Sequence, residues 1–165
     1  MMKESINMYA EAILKLATGR AGPRTTADAL AAERQQLRVW SIPDDATQIV
    51  DGSGLSRHNV LTAETLVTIL RRQYDTGGSP FVQTLPVAGV DGSLDGRMKG
   101  TPAEGNVRAK TGSMTNVRSL GGYVTTRDGE PLAFAIIANN FEGAPATVTA
   151  TIDRVVVRLA EFSRQ

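Results

Sequence analysis

The sequence predicts an α+β fold. Helical spacing dominates its first half, three strand-like runs crowd the last third, and a helical repeat closes the chain. At 165 residues there is room for one domain of ordinary size or for a piece of a larger one. Hydrophobic residues at 41% and charged residues at 21% describe a globular chain with enough apolar material for a core.

Elements follow in chain order. Met8, Ala12 and Leu16 recur every four residues with Ile13 alongside, which predicts an amphipathic helix over Met8–Ala17. Gly19 and the Gly22-Pro23 pair stop it. Thr25-Thr26 caps a second helix to about Arg38, with Leu30 and Leu37 on its buried stripe, and Pro43-Asp44-Asp45 ends that region. Gln48-Ile49-Val50 is a short strand, followed by the Asp51-Gly52-Ser53-Gly54 turn cluster. Thr62 caps a third helix through Gln73, with Leu66, Ile69 and Leu70 inward. Thr76-Gly77-Gly78-Ser79-Pro80 breaks it, and Phe81 to Gly105 reads as loops with short helical turns.

Strands are expected at Val107–Thr111, Leu120–Thr126 and Leu132–Asn139, the last nearly all apolar and so buried on both faces. Arg127-Asp128-Gly129-Glu130 suits a hairpin turn between the second and third. From Ala146 the spacing of Val148, Ile152, Val155 or Val156, and Leu159 gives a closing helix.

Composition excludes several function classes. Eighteen Lys+Arg against 17 Asp+Glu leave a formal charge of +1, which gives no reason to expect a nucleic-acid footprint or a polybasic membrane patch. Without cysteine there are no disulfides, zinc-thiolate sites or thiol nucleophiles. A single histidine, His58, rules out a His-rich metal cluster. The longest apolar run, Leu132–Ala138, is far too short to span a bilayer. Met1–Asn7 lacks the apolar stretch and cleavage site of a signal peptide. A chain that opens directly on a core-facing helix is expected to be missing its true beginning.

Two polar motifs carry chemistry. Ser5-Ile6-Asn7 precedes the first helix, and Lys110-Thr111-Gly112-Ser113 ends a strand. Singly, each is bland: Ser5 or Asn7 can be an ordinary helix N-cap, and a Lys-Thr-Gly strand end is often a solvated turn. Together they match the second and third signatures of penicillin-recognising serine enzymes, Ser-x-Asn and Lys-Thr-Gly. Acyl transfer needs a serine nucleophile, a nearby proton acceptor, oxyanion donors and groups that hold the substrate carboxylate. A lysine on a sheet edge supplies positive field, a hydroxyl passes a proton, and an amide holds a peptide carbonyl.

The resemblance extends beyond tripeptides. MMKESINMYAEAILKL (1–16), VDGSGLSRHNVL (50–61), LPVAGVDGSLD (85–95), RAKTGSMTN (108–116) and SLGGYVTT (119–126) occur in the order found in the D-alanyl-D-alanine carboxypeptidase/endopeptidase family of low-molecular-mass class C penicillin-binding proteins, which the chain resembles over nearly its whole length. Ile6 is a departure, since that family usually has Asp there.

The resemblance implies the C-terminal part of a penicillin-binding transpeptidase-type domain, with about three antiparallel strands from this chain packed against helices. By that likeness Ser5 is the relay hydroxyl, Asn7 holds the substrate amide, and Lys110 is the anchor beside the substrate carboxylate. Thr111 bonds that carboxylate within the substrate-binding run Thr111-Gly112-Ser113, where the Ser113 N–H is one oxyanion donor. The implied partners are peptidoglycan D-Ala-D-Ala peptides and β-lactams, and the resemblance implies no metal and no organic cofactor. The implied location of the intact protein is extracytoplasmic.

The nucleophile motif is missing, because no serine in the sequence is followed three residues later by lysine. The 165 residues are therefore expected to be the C-terminal portion of such an enzyme, incomplete at the N-terminus and inactive alone. The third strand is expected to lack its usual neighbour and to pair with a second copy or with the missing segment.

Three other readings compete. One is a triad of His58 with Ser53 or Ser56 and Asp51, whose spacing is too local. Another is a degenerate non-catalytic binding module or gene fragment. The third is a serine β-lactamase-like hydrolase, which shares Lys-Thr-Gly.

Overall fold

The computed structural model describes residues 1–19, 25–75 and 79–164. The expected breaks at Gly22-Pro23 and Thr76–Gly78 lie outside the described residues. The chain divides into two compact units. One comprises Met1 and Ile6–Ile69; the other comprises Met2–Ser5 and Leu70–Gln165.

In the first unit, α1 spans Asn7–Leu16 and α2 spans Thr26–Val39. Thr25 caps α2 through a complete capping box: its hydroxyl accepts the Asp28 N–H at 3.1 Å, and the Asp28 carboxylate accepts the Thr25 N–H at 3.2 Å. By contrast, Ile6 occupies the N-cap of α1 with no side-chain cap, so neither Ser5 nor Asn7 does that work. Ala29 and Leu37 form the buried stripe of α2. Leu30, expected there, is only half-buried.

A 3₁₀ turn at Asp44–Ala46 leads into β1 (Thr47–Gln48), which pairs antiparallel with β2 (Val60–Leu61). Ile49 and Val50, expected in a strand, fall outside it. The loop between β1 and β2 is built around Asp51. Its carboxylate accepts N–H bonds from Gly54 at 2.6 Å and Ser56 at 2.8 Å, and one from the Asn59 amide at 2.9 Å. Gly52 presses on α1 so closely that a Cβ would lie 2.9 Å from the Ala10 carbonyl oxygen. Glu11 Oε1 accepts the N–H groups of Gly52 and Ser53 at 3.0 and 2.9 Å, which fastens the loop to α1.

Helix α3 (Ala63–Asp75) starts beside Thr62, whose hydroxyl accepts the Thr65 N–H at 3.0 Å. Buried Leu70 matches expectation, whereas Leu66 and Ile69 are half-buried and Thr65 is buried.

In the second unit, α4 (Ser79–Thr84) and a 3₁₀ turn at Gly92–Leu94 precede the sheet. β3 (Arg108–Met114), β4 (Val117–Thr125) and β5 (Pro131–Asn139) form an antiparallel sheet in the order β3-β4-β5. The register sets Lys110 opposite Gly121, Gly112 opposite Ser119 and Gly122 opposite Phe134. The β4–β5 hairpin closes as expected at Arg127–Glu130: Thr126 N–H meets the Glu130 carbonyl at 2.9 Å, and Gly129 takes φ +81°.

One sheet face carries Ala109, Leu120, Val124 and Phe134, which pack with Ile152, Val156 and Ala160 of α5 (Pro145–Glu161). A second cluster joins Tyr123, Leu70 and Leu85 with half-buried Met2, Phe81 and Ala133. The Tyr123 hydroxyl donates to the Leu70 carbonyl at 2.8 Å, and burial pushes its pKa up to about 12.

The expected double-sided burial of β5 does not occur. Only Phe134 is buried, because β5 is the sheet's edge and has one strand neighbour. Among the described residues no helix is long and apolar enough to cross a membrane.

Candidate functional site

β3 is the other edge of the sheet, and it carries Lys110, Thr111, Gly112 and Ser113. Side chains alternate along a strand, so Lys110 shares its face with Gly112 and with its cross-strand partner Gly121, which leaves the lysine stem uncrowded. A Cβ at Gly112 would strike the Ser119 hydroxyl, which would have to turn away.

The backbone of β3 is also informative. Ala109 N–H donates to the Pro86 carbonyl at 3.0 Å, on the side away from β4. Antiparallel pairing alternates every second residue. The N–H groups of Thr111 and Ser113 therefore point the same way as that of Ala109, out of the sheet's open side.

Lys110 Nζ donates to Ser5 Oγ at 2.6 Å across 105 residues of sequence, and to the Thr111 carbonyl at 2.9 Å. Partial burial lowers the Lys110 pKa below the ordinary lysine value. With two acceptors already at hand, the ammonium keeps one N–H for a third. Ser5 itself has φ +53°, a left-handed conformation that is uncommon for a residue with a Cβ. Thr111 Oγ1 donates to Ser93 Oγ at 3.0 Å.

Neighbouring contacts hold the Ser5 segment. Lys3 Nζ reaches both oxygens of Asp91, at 2.7 and 2.5 Å, and the Ser93 N–H donates to the Lys3 carbonyl at 3.1 Å. The Lys3 ammonium, aided by the Val87 N–H, holds the Asp91 carboxyl below the usual carboxylate range.

The structure thus brings Ser5 to Lys110, and puts Thr111, Gly112 and Ser113 beside them on β3. Asn7 is the exposed first residue of α1 and belongs to the first unit. Lys3, Asp91 and Ser93 had no role in the sequence reading: Ser93 contacts Thr111 and the Lys3 backbone, and Asp91 contacts the Lys3 side chain. Their only sequence signal was membership of the blocks at 1–16 and 85–95.

The competing triad is not assembled. Asp51 spends its oxygens on its own loop, and His58 is exposed. Among the described residues no group of three or more His, Cys, Asp or Glu side chains could hold a metal ion.

Comparison with known proteins bears on the family and the fold of the chain. Residues 1–161 match the D-Ala-D-Ala carboxypeptidase 3 (S13) family. The chain is 42% identical to the D-alanyl-D-alanine carboxypeptidase of Actinomadura sp., covering 98% of this chain and 31% of that protein. It is 37% identical to the penicillin-sensitive carboxypeptidase A of Dictyostelium discoideum, over 96% of this chain and 32% of that one. It therefore spans about a third of the length of the curated relatives it matches.

Among solved structures, penicillin binding protein 4 (dacB) from Haemophilus influenzae superposes with a TM-score of 0.87 at 29% identity, over 98% of this chain and 38% of that one. The same protein is also known complexed with a β-lactam. A helical and antiparallel fold shared with that penicillin-binding protein, together with the match over residues 1–161, establishes that this chain belongs to the D-Ala-D-Ala carboxypeptidase 3 (S13) family.

Proposed function

We propose that these 165 residues are the C-terminal portion of a serine-type D-Ala-D-Ala carboxypeptidase/endopeptidase that cleaves peptidoglycan stem peptides through an acyl-enzyme. The observation that carries the reading is the 2.6 Å contact between Ser5 Oγ and Lys110 Nζ, which joins the two signatures at one point.

In this reading the nucleophile is a serine of a Ser-x-x-Lys motif, supplied by a part of the enzyme that this sequence does not contain. That serine loses its proton to the motif's lysine and attacks the D-Ala-D-Ala carbonyl. As the amide bond breaks, the proton passes through Ser5 to the departing amine, and D-alanine leaves. Water then cleaves the ester and restores the serine.

Lys110 raises positive potential beside the substrate's terminal carboxylate, and Thr111 bonds to it. The outward Ser113 N–H stabilises the oxyanion. Gly112, between them, leaves room for the Ser119 hydroxyl. Asn7, two residues after Ser5, holds the substrate amide. Partial burial, which lowers the Lys110 pKa, also strengthens the field of its ammonium at the site.

The same reading places the intact enzyme outside the cytoplasm, where peptidoglycan lies, and makes β-lactams its inhibitors. The apolar β5 edge is covered by the rest of the enzyme and, in the isolated chain, pairs with a second copy.

Labelling with a fluorescent penicillin tests the proposal. The isolated chain should show no label that survives denaturation. A chimera in which it replaces the corresponding third of the Actinomadura relative should label, and Lys110→Ala in that chimera should abolish labelling. Stable labelling of the isolated chain would contradict the assignment of the nucleophile. An unlabelled but folded chimera would contradict the site.

A further inference from the structure

Ser5 is exposed and left-handed, with φ +53°. Packing does not fix it, and serine does not favour that backbone conformation. Something else must keep its hydroxyl at Lys110. That restraint is a short turn. The 3₁₀ turn at Gly92–Leu94 and the Asp91 before it bond to Lys3, two residues before Ser5, and to Thr111, one residue after Lys110.

On one side the turn grips the chain two residues before Ser5. Asp91 takes the Lys3 ammonium on both oxygens, at 2.7 and 2.5 Å, while the Ser93 N–H takes the Lys3 carbonyl at 3.1 Å. Gly92, at φ +56°, lies against that carbonyl, where an added Cβ would stand 2.6 Å from the oxygen. Only glycine permits both the conformation and the approach. Asp91 is itself fixed, since its Oδ1 accepts the Val87 N–H at 2.8 Å. Met2, one residue earlier, packs in the cluster with Leu70, Leu85 and Tyr123.

On the other side, Ser93 Oγ accepts the Thr111 hydroxyl at 3.0 Å, one residue beyond Lys110. Backbone and side chain of one turn thus measure the gap between the segment bearing Ser5 and the strand bearing Lys110.

We propose that Lys3, Asp91 and Gly92 form a positioning clamp that sets Ser5 Oγ against Lys110 Nζ. The clamp gives Ser5 its catalytic meaning only if the function proposed above holds. An ion pair with side chains 33% and 40% exposed adds little to overall stability. Its value lies in geometry: proton relay tolerates little misplacement, and two anchors on residue 3 leave residue 5 a short arc in which to move. Lys3 and Asp91 are positioning residues and touch no reacting atom.

The test uses the 165-residue chain and needs no turnover. Trace acetylation with acetic anhydride across pH, read by mass spectrometry, reports the reactivity of Lys110, with exposed Lys99 as internal reference. Ser5→Ala defines the profile of a lysine without its hydroxyl. Lys3→Met and Asp91→Asn should each move the Lys110 profile toward that of Ser5→Ala, by about two- to fivefold in rate, which is the equilibrium shift a surface ion pair commands. Lys3→Arg should keep the profile of the unsubstituted chain. In the Ser5→Ala background, Lys3→Met should add nothing.

Circular dichroism confirms that each variant is folded. Asp91→Asn, which keeps the side-chain shape, stands in where Lys3→Met is not. A Lys110 profile indifferent to both substitutions, or shifted equally in the Ser5→Ala background, overturns the clamp. Failure of penicillin labelling in the chimera with these shifts intact overturns only the proposed function. Labelling without the shifts overturns only the clamp.

Discussion

The two units bury their apolar residues to very different degrees. In the unit of Leu70–Gln165, Leu94, Val107, Ala109, Leu120 and Val156 are fully enclosed between the sheet and α5. In the unit of Ile6–Ile69, Met8, Tyr9, Ile13 and Leu16 of α1 remain exposed, as do Val39, Leu55 and Val60. Its few buried apolar side chains, Ala29, Leu37 and Ile42, are supplemented by polar fastenings: the capping box at Thr25, the Asp51-centred loop and the Glu11 bonds to Gly52 and Ser53.

A hydrophobic core is cooperative and costly to damage, whereas hydrogen-bonded fastenings are worth about a kilocalorie each. The contrast teaches where the site draws its rigidity. Ser5, Lys110, Thr111 and the 91–93 turn all belong to the well-cored unit.

Substitutions should expose this difference. Leu120→Ala, in the centre of the core at 0% exposure, should destabilise by about 2–5 kcal/mol in a urea melt. A loss below about 1 kcal/mol would mean the core is looser than its burial indicates. Next in size is Arg97→Met. It strips Asp153 of a partner that reaches it at 2.5 Å with both side chains under a fifth exposed, and should cost about 1–3 kcal/mol. The exposed Arg158–Glu161 pair gives a control, with Arg158→Met expected to change stability by less than about 0.5 kcal/mol.

In the other unit, Thr25→Ala should cost about 1 kcal/mol, visible as a loss of helical ellipticity that Thr25→Ser restores. Smallest of all, Ile13→Ser on the exposed face of α1 should leave the melt within about 0.5 kcal/mol of the unsubstituted chain. A large loss at Ile13 would show that α1 is covered in solution, and the contrast between the units would narrow.

What the sequence disclosed divides along the same line of local against distant causes. The Thr25 cap, the Arg127–Glu130 hairpin and the closing helix were legible because their signals lie within a few residues of the feature they control. The motifs around Ser5 and Lys110 were legible as a family pattern, although nothing in their spacing shows that they touch.

The Lys3–Asp91 pair, 88 residues apart, and the Ser93–Thr111 contact left no periodic trace, since each depends on the tertiary path of the chain. β5 misled for a related reason. An all-apolar strand reads as doubly buried, but its burial is set by its rank in the sheet order, which pairing decides. Leu30 is only half-buried while its neighbour Ala29 is buried, because periodicity places a stripe along a helix more surely than it ranks adjacent residues at its margin.

Lysine titration offers the sharpest probe of the site. Burial disfavours the ammonium of Lys110, so its folded pKa lies below the unfolded value near 10.5. Between those two values the unfolded chain binds more protons than the folded one, and stability should rise with pH across that window. Below it the cost of burying the charge is present in full. In Lys110→Met the rise should disappear.

The contact between Ser5 and Lys110 can be read directly by nuclear magnetic resonance on chain labelled at lysine Cε and Nζ. Lys110 should titrate below free lysine, and Ser5→Ala should displace its Nζ resonance while leaving Lys99 unmoved. A Lys110 that titrates as free lysine and ignores the loss of the Ser5 hydroxyl would contradict the joining of the two signatures.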